Sequence, residues 1–415
     1  MPSTPIRVTR HAALSLPPSF LRPLWALGFR LPRLLPLLLV CIGIASPRLE
    51  AQVFVSGNEN KIDLTSGKPR WIEGAAPDSL SVIDFQQFPP RVRHLRDIGN
   101  TVIGPPSNIL VTRDGKRAIL ANSIRGDAQG QPDPWVPNHE VYLVDLTSNP
   151  MKVLSTAKLE AQPSGMSWAS DESWLLVACR AAGKIQRVAV RGDELIAGLS
   201  VDVGRPEDAV SDVAITPDGM TAIVSVHKAG HLRRVDIRGD QLLASDEKAS
   251  TYGQPYRVVV TPDGELALTA GPGFANNGLD LDALTIVDLS VRPMRTIEYV
   301  TVGSGPESLE ISPDGRWLAV VLMAGSNYPP EDPRHSETAE LVLLRREAKS
   351  FRIHQRLPIG RIPEGVAFTP DGQHLLVQCH PDRQIWVFRM EDAGASDAGY
   401  RIDVPGMPSS LRASR

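Results

Sequence analysis

Two residue types suited to acid–base chemistry stand at the two ends of one short stretch, GRIPEGVAFTPDGQHLLVQCH, residues 360 to 380. Glu364 supplies a carboxylate and His380 an imidazole, a pair that can move protons near neutral pH. The TPDG between them is typical of a tight hairpin turn. Folding the chain about that turn places Glu364 opposite Cys379 and His380, so we expect the two side chains to hydrogen-bond as a catalytic pair.

The same turn recurs along the chain, and other reactive residues stand at equivalent positions around it. Arg180, His227 and His380 each follow the aspartate of their turn by nine residues, and Glu307 occupies the position of Glu364 in the preceding repeat. Equivalent positions in neighbouring repeats lie at one level of a fold, so we expect these residues near one cavity. There Arg180, His227 and Glu307 would bind a ligand.

An alternative interpretation remains for all five residues. In five of the repeats a proline precedes the turn aspartate by eight residues, and polar residues directly after such prolines can simply solvate a central channel. Oxygen-bearing side chains in GFANNGLDLDA (Asn276, Asn277, Asp280 and Asp282) could accept a divalent cation. They lack the glycine and the distal glutamate of a calcium loop, which favours a solvated loop, and no metal ligand is assigned.

The repeat itself predicts the architecture that positions these residues. Its aspartates are Asp114, Asp171, Asp218, Asp263, Asp314 and Asp371, separated by 57, 47, 45, 51 and 57 residues. Apolar, β-branched runs flank each turn and a third run ends each unit, as in NILVT, AILAN and VYLVDL of the first unit. Small antiparallel sheets repeating about every 50 residues are typical of propeller blades.

The two chain ends predict a seventh blade. VFVSGNEN, residues 53 to 60, looks like a second strand without its first, and LSVIDF, residues 80 to 85, looks like the third strand. Near the C-terminus, PGMPSSLRAS aligns with GSGPESLEIS, so Pro408 corresponds to Pro306. We therefore expect an all-β, seven-bladed β-propeller over residues 52–415, closed by pairing of N- and C-terminal strands within one blade.

The TPDG turns, the apolar runs and the GxxP lead-in resemble the YVTN-type repeat proteins, a seven-bladed propeller family with lactonase-like members. The resemblance covers residues 52 to 415 and implies a lactone hydrolase of the 6-phosphogluconolactonase type, acting on a sugar or muconate-type lactone. In that case Glu364 or Glu307, with His380 or His227, would activate water. Arg180 would hold a carboxylate or stabilise the oxyanion.

The residues favour a binding function over catalysis, because no catalytic motif of such enzymes can be matched here. Long segments on one face, among them residues 122–140 and 323–340, are suited to recognising a small ligand, a polymer or a protein. Nucleophile-elbow, HExxH, paired CxxC and phosphate-loop signatures are all missing from the sequence. We expect a monomeric binding scaffold, with the lactone hydrolase as the alternative.

Composition and the N-terminus predict the compartment. A formal net charge of -3 and the lack of a long basic run give no indication of a nucleic-acid partner. Residues 1–51 combine scattered arginines with an apolar run from Leu34 to Ala45. Such a run is too short to span a bilayer comfortably, so it predicts a cleaved export signal and a periplasmic or extracellular protein, with an uncleaved anchor as the alternative. Cys179 and Cys379 are expected to be buried, unpaired strand residues of different repeats.

Overall fold

The computed structural model describes residues 51–126, 135–275, 278 and 280–414, and these residues are organised almost entirely as short β-strands. In chain order the first half contains β1 Val53–Glu59, β2 Ile62–Asp63, β3 Arg70–Trp71, β4 Ser79–Asp84, β5 Arg91–Arg96, β6 Ile109–Val111, β7 Arg117–Gly126, β8 Trp135–Asp145, β9 Lys152–Lys158, β10 Pro163–Trp168, β11 Trp174–Cys179, β12 Lys184–Arg191, β13 Glu194–Asp202, β14 Val210–Ile215 and β15 Thr221–Val226. The second half contains β16 His231–Arg238, β17 Gln241–Ser250, β18 Arg257–Val260, β19 Leu266–Gly271, β20 Asp282–Asp288, β21 Arg295–Gly303, β22 Pro306–Ile311, β23 Trp317–Leu322, β24 Ala339–Glu347, β25 Ser350–Ile359, β26 Pro363–Phe368, β27 His374–Cys379, β28 Gln384–Glu391, β29 Gly394–Asp403 and β30 Met407–Ala413. Two single-turn 3-10 helices, Arg180–Ala182 and Pro206–Asp208, complete the described elements.

These strands form seven four-stranded antiparallel sheets within the described part of the chain, so the predicted seven-bladed β-propeller is confirmed. We call the sheets blade 1 (β6–β9), blade 2 (β10–β13), blade 3 (β14–β17), blade 4 (β18–β21), blade 5 (β22–β25), blade 6 (β26–β29) and the closing blade (β30, β1, β4 and β5). The short hairpin of β2 and β3 lies outside the blades. Apolar side chains of adjacent blades pack together in a series of buried clusters, which is where the core lies.

The turn chemistry explains why the first two strands of each blade form a hairpin. In the turn of blade 4, the Asp263 carboxylate accepts hydrogen bonds from the Thr261 hydroxyl at 2.5 Å and from the Glu265 backbone N–H at 3.0 Å. Gly264 adopts the positive φ of 74° that the turn requires. Blade 2 carries the variant sequence ASDE, where Glu172 occupies the same left-handed region at φ 57°.

The ring closes as the sequence predicts. Strand β30 pairs antiparallel with β1 from Phe54 opposite Ala413 to Glu59 opposite Met407. Leu411 is completely buried in this seam, and the Ser414 backbone N–H donates to the Val53 carbonyl at 2.7 Å. The last strand of the chain, β30, is thus the innermost strand of the closing blade, whose other three strands come from the N-terminal part of the propeller.

Charged side chains occupy the interior near the propeller axis, where the first strands of the blades meet. Arg257 is fully buried and forms an ion pair with Glu310, whose carboxylate also accepts a hydrogen bond from Arg412 at 2.9 Å. Asp212 accepts from the Val258 backbone N–H at 3.0 Å, and burial raises its pKa to about 6. This axial ion-pair group joins the first strands of blades 3, 4, 5 and the closing blade.

Two further features bear on the sequence predictions. Cys179 and Cys379 are buried free thiols at the ends of β11 and β27, in different blades as expected. In the described ranges, no helix is long and apolar enough to cross a membrane. The predicted export signal, residues 1–51, lies outside the described residues except for Ala51, so it stays a prediction.

Candidate functional site

In blades 5 and 6, a β-bulge at the start of the first strand sets the orientation of the residue that follows the proline of the repeat. In blade 6 the pairing of β26 with β27 shifts register between Pro363 and Val366, and in blade 5 it shifts between Pro306 and Ser308. An extra residue in a strand bends it and re-aims its side chain. Glu364 and Glu307 occupy these bulges, and both line a cavity at the mouth of the propeller channel.

This cavity, which we call the axial cavity, has a volume of about 220 Å³. Blades 2, 4, 5 and 6 contribute the polar side chains Arg180, Tyr256, Glu307 and Glu364 to its lining. The loops add two more polar residues, Lys68 and Asn327, and the remaining lining residues are Leu64, Gly67, Pro69, Val102, Ile103, Gly104, Met323 and Ile362. Four blades and the adjoining loops therefore meet at one small cavity.

Two of these polar groups have buried atoms without a hydrogen-bond partner among the residues that the structure describes. They are Nη1 of Arg180 and Oε2 of Glu364. Buried polar atoms in folded proteins are nearly always hydrogen-bonded, to protein, water or ligand. A cationic donor and a carboxyl acceptor directed at the same cavity are therefore suited to hold a polar molecule between them.

Burial and mutual repulsion set the protonation of the two carboxyls. Burial raises the pKa of Glu307, and the nearby Arg180 guanidinium partly offsets that rise. Burial, then Glu307 and then Glu59 raise the pKa of Glu364 well above its usual range. Two carboxyls that interact at close range resist ionising together. The proximity of Arg180 assigns the more readily ionised member to Glu307 and the more readily protonated one to Glu364.

Tyr256 keeps its proton in this setting. Burial and the neighbouring Glu307 hold the pKa of Tyr256 well above its usual range, with Arg180 acting in the opposite direction. Its phenol therefore remains a hydrogen-bond donor at neutral pH. The sequence already contained the signal for this residue, because Tyr256 directly follows Pro255 as Glu307 follows Pro306.

The β2–β3 hairpin covers part of the axial cavity. Between its strands, Leu64, Gly67, Lys68 and Pro69 line the cavity, and the Gly67 backbone N–H donates to the Asn327 carbonyl at 2.7 Å. We call residues 62–71 the cover hairpin. Nothing in the repeat pattern predicts it, because it is an insertion between β1 and β4 of the closing blade.

His380 does not form the predicted hydrogen bond with Glu364. Its ring is completely buried, with Nδ1 3.1 Å from the Pro408 carbonyl oxygen and Nε2 3.4 Å from that of Ile62. Burial lowers its pKa to about 4. The register explains the difference: Cys379 pairs with Pro363, and the bulge that follows turns Glu364 toward the cavity. His380 instead connects blade 6 to β30 and to the cover hairpin.

His227 lies beside the axial cavity and does not line it. Its Nδ1 is 3.1 Å from the Pro255 carbonyl oxygen, and its ring centroid is 5.4 Å from that of Tyr256. Burial, with Arg180 nearby, lowers the pKa of His227 to about 4, so the ring is neutral above that pH. His227 therefore packs against Tyr256, which does line the cavity. The structure thus brings Arg180, Glu307 and Glu364 together and leaves both histidines bonded to backbone.

In the loop that could accept a divalent cation, backbone N–H groups already occupy the carboxylate of one of the four candidate residues. The Asp282 carboxylate accepts from the Gly273 N–H at 2.7 Å and from the Gly305 N–H at 2.9 Å. Asn276 and Asn277 lie outside the described residues. Across the described ranges, no group of three or more His, Cys, Asp or Glu side chains is arranged to hold a metal ion.

A second depression, of about 530 Å³, lies on the opposite face between the turns of blades 4 and 5. Its charged side chains are ion-paired: Arg346 contacts Asp263 at 2.6 Å and Arg316 contacts Asp314 at 2.5 Å. It is larger than the axial cavity, but its charges are already satisfied at the protein surface. The axial cavity is the better candidate for a functional site.

Comparisons with known proteins agree on the fold. No family model matches the chain, and no curated protein does. A putative 6-phosphogluconolactonase from Bacteroides fragilis matches with a TM-score of 0.65 and 16% identity, over 88% of this chain and 98% of that one. The periplasmic gluconolactonase of Pseudomonas aeruginosa matches with a TM-score of 0.64 and 18% identity, over 88% and 98%. Kuenenia stuttgartiensis hydrazine synthase matches with a TM-score of 0.58 and 19% identity, over 75% and 90%. At these identities the likeness shows the propeller fold alone, which these differently named proteins share.

Proposed function

We propose that this protein is a propeller that binds a small polar ligand in the axial cavity. One observation carries the proposal: Arg180 Nη1 and Glu364 Oε2 are both buried in the lining of that cavity, and neither has a hydrogen-bond partner within the described chain. A bound hydroxyl, carboxylate or carbonyl group would satisfy the arginine, and a hydroxyl would satisfy the carboxyl. Leaving such groups unsatisfied costs about 1 to 3 kcal/mol each, which a ligand would recover.

The cavity limits the size of that ligand. Pockets for drug-sized molecules occupy roughly 300 to 1,000 Å³, whereas the axial cavity has about 220 Å³. A single five- or six-membered ring with its substituents is of the appropriate size. A polymer or a protein partner would contact the outer loops and would leave the buried Arg180 and Glu364 atoms unsatisfied.

Lactone hydrolysis is the second candidate, and the carboxyl pair favours it. Glu307, beside Arg180, is the member that ionises first, and above its raised pKa of about 8 its carboxylate would take a proton from the attacking water. Arg180 would stabilise the negative charge that develops on the lactone carbonyl oxygen. Glu364, held protonated, would donate to the ring oxygen as the acyl–oxygen bond breaks, giving a hydroxy acid. Two structures that resemble this chain, the putative 6-phosphogluconolactonase and the periplasmic gluconolactonase, are named for the same class of substrate.

A panel of δ-valerolactone, D-glucono-δ-lactone and their hydroxy acids distinguishes the two functions. Binding is measured by calorimetry and ring opening by pH-stat titration, with the full chain, with Arg180→Met and with Glu364→Gln. Binding that Arg180→Met abolishes, without turnover, supports the binding protein. Turnover that Glu364→Gln reduces at least about 100-fold, the scale of one acid–base group, supports the hydrolase. If no compound binds, or if Arg180→Met binds all of them like the wild type, the axial cavity is not the ligand site.

We further propose that the chain is exported and belongs with the YVTN-type propellers. The arginine-flanked apolar run ahead of Ala51 supports export, and the TPDG turns with their preceding prolines support the family. N-terminal sequencing of the protein recovered from the periplasm or the medium tests export. A chain that remains in the cytoplasm with Met1 intact would contradict it.

A further inference from the structure

The apolar part of the axial cavity has a continuation outside the blades. Ile62, Val102 and Ile124 form a small buried cluster, and Leu64, Trp71, Ile103 and Trp135 are half-buried against it. Its residues come from the cover hairpin, from the loop before β6 and from the β7–β8 hairpin, so it lies outside the packing between blades. We call it the cover cluster.

The cover cluster and the cavity share residues. Leu64, Val102 and Ile103 belong to both, and Met323 adds a further apolar side chain to the cavity lining. Beyond them, the indole rings of Trp71 and Trp135 lie 6.2 Å apart and tilted by 53°. An apolar surface therefore extends from the cavity to two tryptophans, while Arg180, Glu307 and Glu364 supply polar groups to the same cavity.

A ligand suited to such a cavity must be polar at one end and apolar at the other. Lys68 and Asn327 add two polar groups to the loop part of the lining, but hydroxyl groups of a polyhydroxylated ring that face Leu64, Ile103 and Met323 would lack partners, which is costly in a desolvated site. A ring that carries its polar atoms on one edge and an alkyl or aryl group on the other satisfies both surfaces. The distribution of lining residues thus separates two substrate classes of similar size.

We propose that the axial cavity selects an amphipathic ring, a lactone or related small cyclic ester or its hydroxy acid, that carries a short alkyl or aryl substituent. Its polar edge contacts Arg180 and Glu364, and its substituent packs between Leu64, Ile103 and Met323 toward the tryptophan pair. This inference rests on the proposed function, because it assumes that the cavity binds a ligand. It goes further by assigning the ligand's chemistry and by giving the cover hairpin a role in specificity.

Hydrolysis-resistant δ-lactams test the proposal in binding measurements on the full chain. The series carries no substituent, a methyl group or a propyl group on the carbon next to the ring nitrogen, and D-glucono-δ-lactam is the polyol of matched ring size. Each buried CH₂ contributes about fourfold in affinity. The propyl lactam should therefore bind about 16-fold more tightly than the methyl lactam, and more tightly than the polyol.

A pair of matched variants assigns the effect to the cover hairpin. Leu64→Asn should flatten the alkyl series to within about twofold, so that the propyl lactam loses its advantage over the methyl and unsubstituted lactams. Leu199→Asn makes the same change at a leucine that is 71% exposed on β13, away from the cavity, and should preserve the full gradient. Thermal melting of both variants verifies that they are folded.

If Leu64→Asn does not fold, Met323→Gln takes its place with the same expected result. A flat alkyl series in the wild type overturns the inference and leaves the proposed function standing if D-glucono-δ-lactam binds. Tighter binding of the polyol that Trp71→Ala or Trp135→Ala weakens would also overturn it, because the tryptophans would then stack on a sugar ring. If neither lactam class binds, both the inference and the proposed function are wrong.

Discussion

The guanidinium of Arg180 and the carboxyl of Glu364 come from blades 2 and 6, yet each directs a buried, unpartnered polar atom at the same cavity. Arg257 and Arg412 of the axial ion-pair group both pair with Glu310, whereas neither Arg180 nor Glu364 forms an ion pair with a described residue. Polar groups that are buried and left without a partner cost stability. Their position is explained if they contact a ligand.

Replacing Glu364 by glutamine should make the protein less sensitive to alkaline pH. A carboxyl whose pKa is raised in the folded state contributes stability below its unfolded value of 4.5, and that contribution is lost as pH rises through the folded pKa. The variant cannot ionise, so its melting temperature should exceed the wild-type value at pH 8 by about 2 °C or more. At pH 4 the two proteins should melt together.

Glu391→Gln is the matched control for this measurement, because Glu391 is an exposed residue at the end of β28. It should follow the wild-type curve at both pH values. A Glu364→Gln variant that is less stable than the wild type at pH 8 would show that Glu364 is ionised and stabilised in the folded protein.

His380→Ala should destabilise the fold through the contacts it breaks. The buried ring lies between the carbonyls of Pro408 and Ile62 and, being neutral, donates its one N–H to one of them, so its removal leaves a cavity and a buried acceptor without a donor. We expect a loss of about 2 to 4 kcal/mol in the free energy of unfolding, measured by urea denaturation. His139→Ala, at a half-buried position on β8 whose ring has no hydrogen-bond partner among the described residues, is the control and should be within about 0.5 kcal/mol of the wild type.

The depressed pKa of His380 adds an acid dependence to that comparison. Because its pKa falls from 6.5 to about 4 on folding, its contribution is complete above pH 6.5 and is lost as pH falls through 4. The difference in stability between wild type and His380→Ala should therefore shrink between pH 6.5 and pH 4. A constant difference over that range would indicate that the ring is not desolvated as the structure shows.

Ring closure should depend on the last strand. Leu411 is completely buried between β1 and the neighbouring blade 6, so Leu411→Ala should lower the free energy of unfolding by about 2 to 5 kcal/mol. Deleting residues 404–415 removes the whole pairing with β1 and should abolish a cooperative unfolding transition. A truncated chain that melts within about a degree of the full chain would contradict closure through β30.

Tyr256→Phe should weaken ligand binding without loosening the fold. The phenol lines the cavity and stays protonated, so it can donate one hydrogen bond to a ligand. Loss of one such bond corresponds to about two- to tenfold in affinity, measured by calorimetry with the tightest lactam. A melting temperature lowered by several degrees, with affinity unchanged, would make Tyr256 a structural residue only.

The propeller could be predicted from sequence because its signals are local. Each turn of the TPDG type specifies its own hairpin through the aspartate side chain and the glycine conformation, and the series of turns from Asp114 to Asp371 predicts six of the seven blades. Closure followed from the same register, since Pro408 repeats the position of Pro306. These inferences required no knowledge of contacts between distant residues.

The site was predicted only in part, because bulges and insertions decide where side chains point. The repeat placed Arg180, Glu307 and Glu364 at one level, and the structure brings all three to one cavity. It could not reveal that the bulge after Pro363 turns Glu364 away from His380. The cover hairpin has no counterpart in the other repeats, so the repeat pattern could not predict the apolar side chains that it contributes to the cavity.

The most direct test of the central claim is the affinity of Arg180→Met for the tightest-binding lactam or lactone, measured by calorimetry. The control is Arg191→Met, because Arg191 is an exposed arginine at the end of β12 in the same blade. If Arg180 holds the ligand through its unpartnered Nη1, affinity falls by about 10-fold or more, while the melting temperature stays the same or rises because a buried unsatisfied charge has been removed. Arg191→Met should bind like the wild type. Wild-type affinity in Arg180→Met would contradict the assignment of the axial cavity as the functional site.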